Sequence, residues 1–140
     1  MIKIYTDAGY NWKKELKKAQ KHATIAYRID SGSVKVEKIS CPPIKGLKQY
    51  NNIFELMAIH QALQAFLEEY GPGKDVQVLS DSQVVVSWLK NKKELRHLSK
   101  YHRALQALTI GLEEFFRSVS YQHIPREENI AGKFLERRGA

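Results

Sequence analysis

Two hydrophobic periods divide the chain. Residues 2–6 alternate apolar and polar side chains and read as a strand ending near Asp7. Residues 23–30 and 34–41 read as two further strands, joined by a hairpin turn at Ser31-Gly32-Ser33. Pro42-Pro43 ends the third, because neither proline can donate to a ladder. Residues 11–22 form a lysine-rich connection between the first two strands. A long helix follows, with Asn51 or Asn52 as its cap and Leu56, Ile59, Leu63, Phe66 and Leu67 at helical spacing. Gly71-Pro72-Gly73 stops it. Residues 76–80 are a fourth strand and residues 82–89 a short helix. The cleanest period belongs to Leu98, Tyr101, Leu105, Leu108, Leu112 and Phe115, which predicts a helix with those residues on its core face. Lys93, Arg96, Lys100 and Arg103 then form a positive ridge on the opposite side. Residues 119–123 are a fifth strand, residues 124–128 a loop broken by Pro125, and residues 129–137 a last helix.

Three strands joined by tight connections, then strands separated by helices, predict an α/β fold. Its sheet is mixed and five-stranded: three antiparallel strands, then two parallel ones, flanked by helices. At 140 residues this is one domain's worth of chain. A hydrophobic content of 43% with 27% charged residues excludes a largely disordered protein. The lone Cys41 excludes an internal disulfide and a cysteine-rich zinc module. Lys3 interrupts the start where a signal peptide needs an apolar run, and no apolar run is long enough for a bilayer. The expectation is a soluble, cytoplasmic monomer with no membrane contact.

Charge narrows the partner. The net charge is +8, and two segments carry the excess. Residues 13–21 hold five lysines against Glu15, and residues 90–103 hold six basic residues against Glu94. Such clustering is the footprint of a polyanion binder, with a solvated surface kept for solubility as the plainer reading.

In an open α/β sheet, ligands collect at the carboxyl ends of parallel strands. Asp7 and Asp81 stand at two such ends. On neighbouring strands their carboxylates would converge, and a divalent cation would relieve the repulsion. Taken singly, Asp7 also fits a turn and Asp81 a helix cap. Glu55, in the first turn of the long helix and on the edge of its apolar stripe, is a third acid. It also fits a surface glutamate that complements the helix dipole.

The set resembles type 1 ribonuclease H, the enzymes that cut the RNA strand of an RNA–DNA hybrid. Tyr5-Thr6-Asp7-Ala8-Gly9 is similar to the family's first aspartate motif, and Asn51-Asn52-Ile53-Phe54-Glu55-Leu56-Met57-Ala58 to its glutamate helix. Ser80-Asp81-Ser82-Gln83 resembles its second aspartate motif, and His123-Ile124-Pro125-Arg126-Glu127-Glu128-Asn129 its histidine stretch. The resemblance implies a single ribonuclease H-like domain over residues 1–140. Asp7, Glu55 and Asp81 would hold two Mg²⁺ ions, with Mn²⁺ able to substitute, and His123 would assist catalysis. Asn51 and Gln83 would read the minor groove of the hybrid, and Lys93, Arg96, Lys100 and Arg103 would meet phosphates.

Two features depart from the family. Its fourth acid, ten residues after the histidine, is replaced by Lys133, or by Gly132 in a register shifted by one. Glu127, Glu128 and Glu136 are the substitutes at hand. A Gly-Asn-Pro-Gly turn after the first aspartate is also absent. The reading is therefore a metal-dependent ribonuclease H. The alternative is a ribonuclease H-like nucleic-acid-binding module with weak or no turnover. A metal-free flavodoxin-like or regulatory domain is disfavoured by the antiparallel opening.

Overall fold

The structure is a computed structural model that describes residues 1–10, 21–41 and 47–137, with only the backbone described at 47–50. Most of the lysine-rich segment 13–21 lies outside the described residues.

β1 (Ile2–Gly9), β2 (His22–Ile29) and β3 (Lys35–Ser40) form an antiparallel meander. After α1 (Leu47–Tyr70), β4 (Asp75–Ser80) pairs parallel with β1. After α2 (Gln83–Lys90) and α3 (Lys100–Leu112), β5 (Ser118–His123) pairs parallel with β4. α4 (Ile130–Arg137) closes the described chain. The strand order is β3-β2-β1-β4-β5, the mixed sheet expected from the sequence.

Alternation along the strands separates two apolar faces. Ile4, Val76 and Val78 turn to the side of α1, where Leu56, Ile59, Leu63 and Phe66 complete the main core with Val85, Val86 and Leu89 of α2. Tyr5 and Ala26 turn to the other side, against Ala131 and Leu135 of α4.

Four expectations need correction. α1 begins at Leu47, so Asn51 and Asn52 lie inside the helix and cap nothing, and Glu55 lies beyond its first turn. β1 runs past Asp7 to Gly9 because β2 supports it there: Asp7 pairs with Ala26, whereas pairing with β4 stops at Tyr5 and Leu79. The stripe on α3 lies at the edge of its buried face, with Tyr101, Leu105 and Leu112 half-buried against the core. His102, Gln106 and Thr109 are buried, while Leu108 is 60% and Phe115 57% exposed, a rotation of roughly a quarter turn. Lys93 and Arg96 precede the helix, so the basic ridge is helical only at Lys100 and Arg103.

The polar face of α3 is held in the core by hydrogen bonds to most of its groups, the Gln106 Oε1 being left without a partner. Gln106 Nε2 donates to the carbonyls of Lys93 (2.9 Å) and Trp88 (3.3 Å). Thr109 Oγ1 donates to the Leu105 carbonyl. His102 Nδ1 is 2.7 Å from Ser99 Oγ, which also caps the helix by accepting from the His102 N–H.

Candidate active site

The parting of β1 from β4 creates the site. Beyond Tyr5 and Leu79 the two strands no longer pair. Asp7 lies on the freed stretch of β1, Asp81 directly follows β4, and α1 brings Glu55 over the gap. One carboxylate oxygen from each of the three lies within 4.8 Å of the others. Among the described residues this is the one acidic cluster arranged to hold a metal ion.

The cluster carries a strong electrostatic load. Asp7 is fully buried. Burial and then the Asp81 charge push its carboxyl up to about 6, with Arg126 opposing. Burial and then Asp7 raise Glu55 well above the usual carboxylate range. Asp7 Oδ1 and Glu55 Oε2 are buried with no hydrogen-bond partner while both groups are ionised. Protonation of Glu55 lets it donate to Asp7, and a cation would serve the same oxygens without the proton. Three converging carboxylates, two of them with an unpartnered buried oxygen, are the hard donor set that Mg²⁺ and Mn²⁺ take, so the residues present fit a divalent ion.

The cluster opens into a polar cleft of about 340 Å³, lined by Tyr10, Asn51, Asn52, Glu55, Asp81 and Ser82 among others. Asn51 is thus in the cleft, exposed on the outer side of α1. Gln83 is exposed at the first position of α2, next to Ser82, whose side chain caps that helix. His123 is exposed at the end of β5. The register pairs it with Ser80, one residue before Asp81. Lys93, Arg96 and Arg103 border a separate groove of about 320 Å³ with Lys92, and Lys100 Nζ lies over the Tyr101 ring. The positive surface is real, but Arg96 is paired with Glu94 at 2.7 Å.

Two residues at the site were given no role by the sequence reading, although both lie inside the quoted histidine stretch. Asn129 is fully buried, and its Nδ2 donates to the Thr6 carbonyl (2.9 Å) and to Asp81 Oδ2 (3.4 Å). Arg126 Nη1 donates to Asp81 Oδ2 (3.1 Å) and Asp7 Oδ2 (3.4 Å), while its Nε donates to Glu136 Oε1 (2.6 Å). Burial would lower the pKa of this guanidinium, but the Glu136 hydrogen bond and the Asp7 and Asp81 charges outweigh it and raise it. The residue of α4 that faces the cluster is Gly132: a Cβ there would lie 3.1 Å from Asp7 Oδ2. Lys133 is exposed, as are Glu127 and Glu128. Glu136, the substitute one turn along, is engaged with Arg126.

Residues 1–130 match the family model of RNase H. The chain belongs to the RNase H family. The match ends where α4 begins, just short of the position that departs from the family pattern. No curated protein matches this RNase H chain significantly by sequence. Its fold is that of solved RNase H structures. The RNase H1 of the halophilic archaeon Halobacterium salinarum is 19% identical at a TM-score of 0.73, covering 96% of this chain and 92% of that one. LC11-RNase H1, solved in complex with an RNA/DNA hybrid, is 20% identical at a TM-score of 0.73, with 96% and 93% covered. The N-terminal RNase H domain of Mycobacterium tuberculosis rv2228c is 17% identical at a TM-score of 0.69, with 99% and 98% covered.

Proposed function

We propose that this RNase H chain is a divalent-metal-dependent endonuclease that hydrolyses the RNA strand of RNA–DNA hybrids. Mg²⁺ is the natural ion in this reading, and Mn²⁺ substitutes. The observation that carries it is the approach of Asp7, Glu55 and Asp81 to within 4.8 Å of one another at the head of an open polar cleft.

A bound divalent ion supplies Lewis acidity toward the scissile phosphate. The protein's own side chains do the rest. Asp7, Glu55 and Asp81 hold the ion, and Asn129 keeps the Asp81 carboxylate in place from behind. Asn51 and Gln83 offer amides to the shallow minor groove of the hybrid, where 2′-hydroxyls distinguish RNA from DNA. His123, exposed at the end of β5 opposite Ser80, would move a proton at the leaving oxygen. Lys93, Arg96, Lys100 and Arg103 meet backbone phosphates.

The test is incubation with labelled RNA–DNA hybrid, RNA duplex and DNA duplex, with Mg²⁺ or Mn²⁺. Cleavage confined to the RNA strand of the hybrid is expected, faster with Mn²⁺, and Asp7→Asn should lower the rate by at least about 100-fold. Undiminished cleavage by Asp7→Asn sinks the assignment. One observation favours a second reading, a hybrid-binding module with little turnover: the α4 position facing Asp7 is a glycine, and the nearby Glu136 is committed to Arg126. That reading predicts hybrid binding without cleavage by either ion.

A further inference from the structure

Arg126 is held more firmly than a surface arginine. α4 supports it. Glu136 anchors its Nε at 2.6 Å, and Gly132, one turn earlier, brings the helix backbone close beside it and Asp7. A Cβ at 132 would stand 3.1 Å from Asp7 Oδ2 and 3.5 Å from Arg126 Nη1.

The guanidinium divides the oxygens of the cluster into two sets. Asp7 Oδ2 and Asp81 Oδ2 both accept from Arg126 Nη1. Asp7 Oδ1 and Glu55 Oε2, both buried, have no hydrogen-bond partner. One side of the site already holds a cation, and the other side is prepared for one.

We infer that Arg126 is a resident counter-cation: it neutralises the Asp7–Asp81 pair where a second divalent ion would have to sit, so the hybrid-free protein takes one ion, on the side of Asp7 Oδ1 and Glu55 Oε2. The inference rests on the metal reading of the three carboxylates. Its physical basis is competition for the same oxygens. A second ion must displace the guanidinium from both aspartates and strain its pair with Glu136, and Gly132 offers no replacement ligand. Arg126 is a positioning residue in this account, acting through the carboxylates.

The experiment is a Mn²⁺ titration of the hybrid-free protein, followed by calorimetry and by the electron paramagnetic resonance of free Mn²⁺. One bound ion is expected. Two bound ions, or none at saturating Mn²⁺, overturn the inference. Arg126→Gln should bind the first ion at least about tenfold tighter, because a neighbouring positive charge is gone, and should admit a second. A merely structural arginine gives the opposite result, since its loss would disorder the carboxylates, so weaker binding in Arg126→Gln also overturns the inference. Should that variant fail to fold without metal, the wild-type stoichiometry still decides. Arg126→Lys, which keeps the charge, should retain one ion, and two ions there count against the inference. Hybrid cleavage is scored separately. One ion without cleavage removes the nuclease reading and leaves this one, and cleavage by a protein that binds two ions does the reverse.

Discussion

The side chain of Asn129 reaches across 123 positions of sequence to the main-chain carbonyl of Thr6, donating to it over 2.9 Å, and the same amide touches Asp81. One buried amide therefore ties the entry of α4 to the strand that carries Asp7 and to the acid that follows β4. Neither bond has solvent to fall back on, because Asn129 is fully buried.

Asn129→Ala should accordingly lower stability by about 1–3 kcal/mol, the cost of leaving the Thr6 carbonyl and Asp81 without that donor. Asn129→Asp should be worse at neutral pH, since it sets a second carboxylate against Asp81. Urea melts check both, and an Asn129→Ala variant as stable as wild type removes the tie from the account.

The acid cluster makes the metal-free protein pH-sensitive in an unusual direction. Asp7 moves from an ordinary 3.8 to about 6, and Glu55 lies well above its ordinary value. Raised carboxyl groups bind more protons in the native than in the unfolded state. Their contribution is thus full below about pH 4 and is lost as pH rises through about 6, on the order of 3 kcal/mol for Asp7. The melting temperature in chelator should fall from pH 4.5 to 7 more steeply for wild type than for Asp7→Asn/Glu55→Gln. Mn²⁺ should flatten the wild-type curve. Parallel profiles for the two proteins count against the cluster's repulsion.

Position 132, not 133, should control crowding at the site. Gly132→Asp would press a third charge onto Asp7 at a distance where even a Cβ is tight, so its metal-free form should melt lower by several degrees. Lys133→Asp changes an exposed residue and should shift stability by less than about 0.5 kcal/mol. Equal effects from the two would mean that Gly132 does not face the cluster.

Lys93, Arg96, Lys100 and Arg103 are all exposed and can be changed without disturbing the core. If they meet phosphates, each alanine should lower the salt slope of hybrid binding by roughly one. A fourfold variant with unchanged slope would send the binding surface elsewhere.

Strands and turns were legible because β-branched alternation, Pro42-Pro43 and Gly71-Pro72-Gly73 act locally. Gly71 and Gly73 both adopt the positive φ that the stop requires. The three acids were legible from the short motifs around them, although only Asp81 lies at the end of an element. The face of α3 was not, because periodicity counts His102, Gln106 and Thr109 as solvent-facing, whereas backbone groups and Ser99 satisfy them in the core. The matching prediction is that Leu108→Lys and Phe115→Lys each cost less than about 0.5 kcal/mol, while Gln106→Ala costs about 1–3 kcal/mol. Thermal melts distinguish the two faces. Arg126 reads as one more solvated charge in the sequence, since nothing local shows that its partners are Asp7 and Asp81.

The strand order β3-β2-β1-β4-β5 also has a temporal side. A ribosome delivers Asp7, Glu55 and Asp81 before Arg126 and Asn129. Until β5 has emerged, β4 is an open edge, and until α4 docks, the carboxylates have neither their guanidinium nor their amide tether. A nascent chain therefore holds the acids without the frame that sets them. The site comes into being only as β5 and α4 seat.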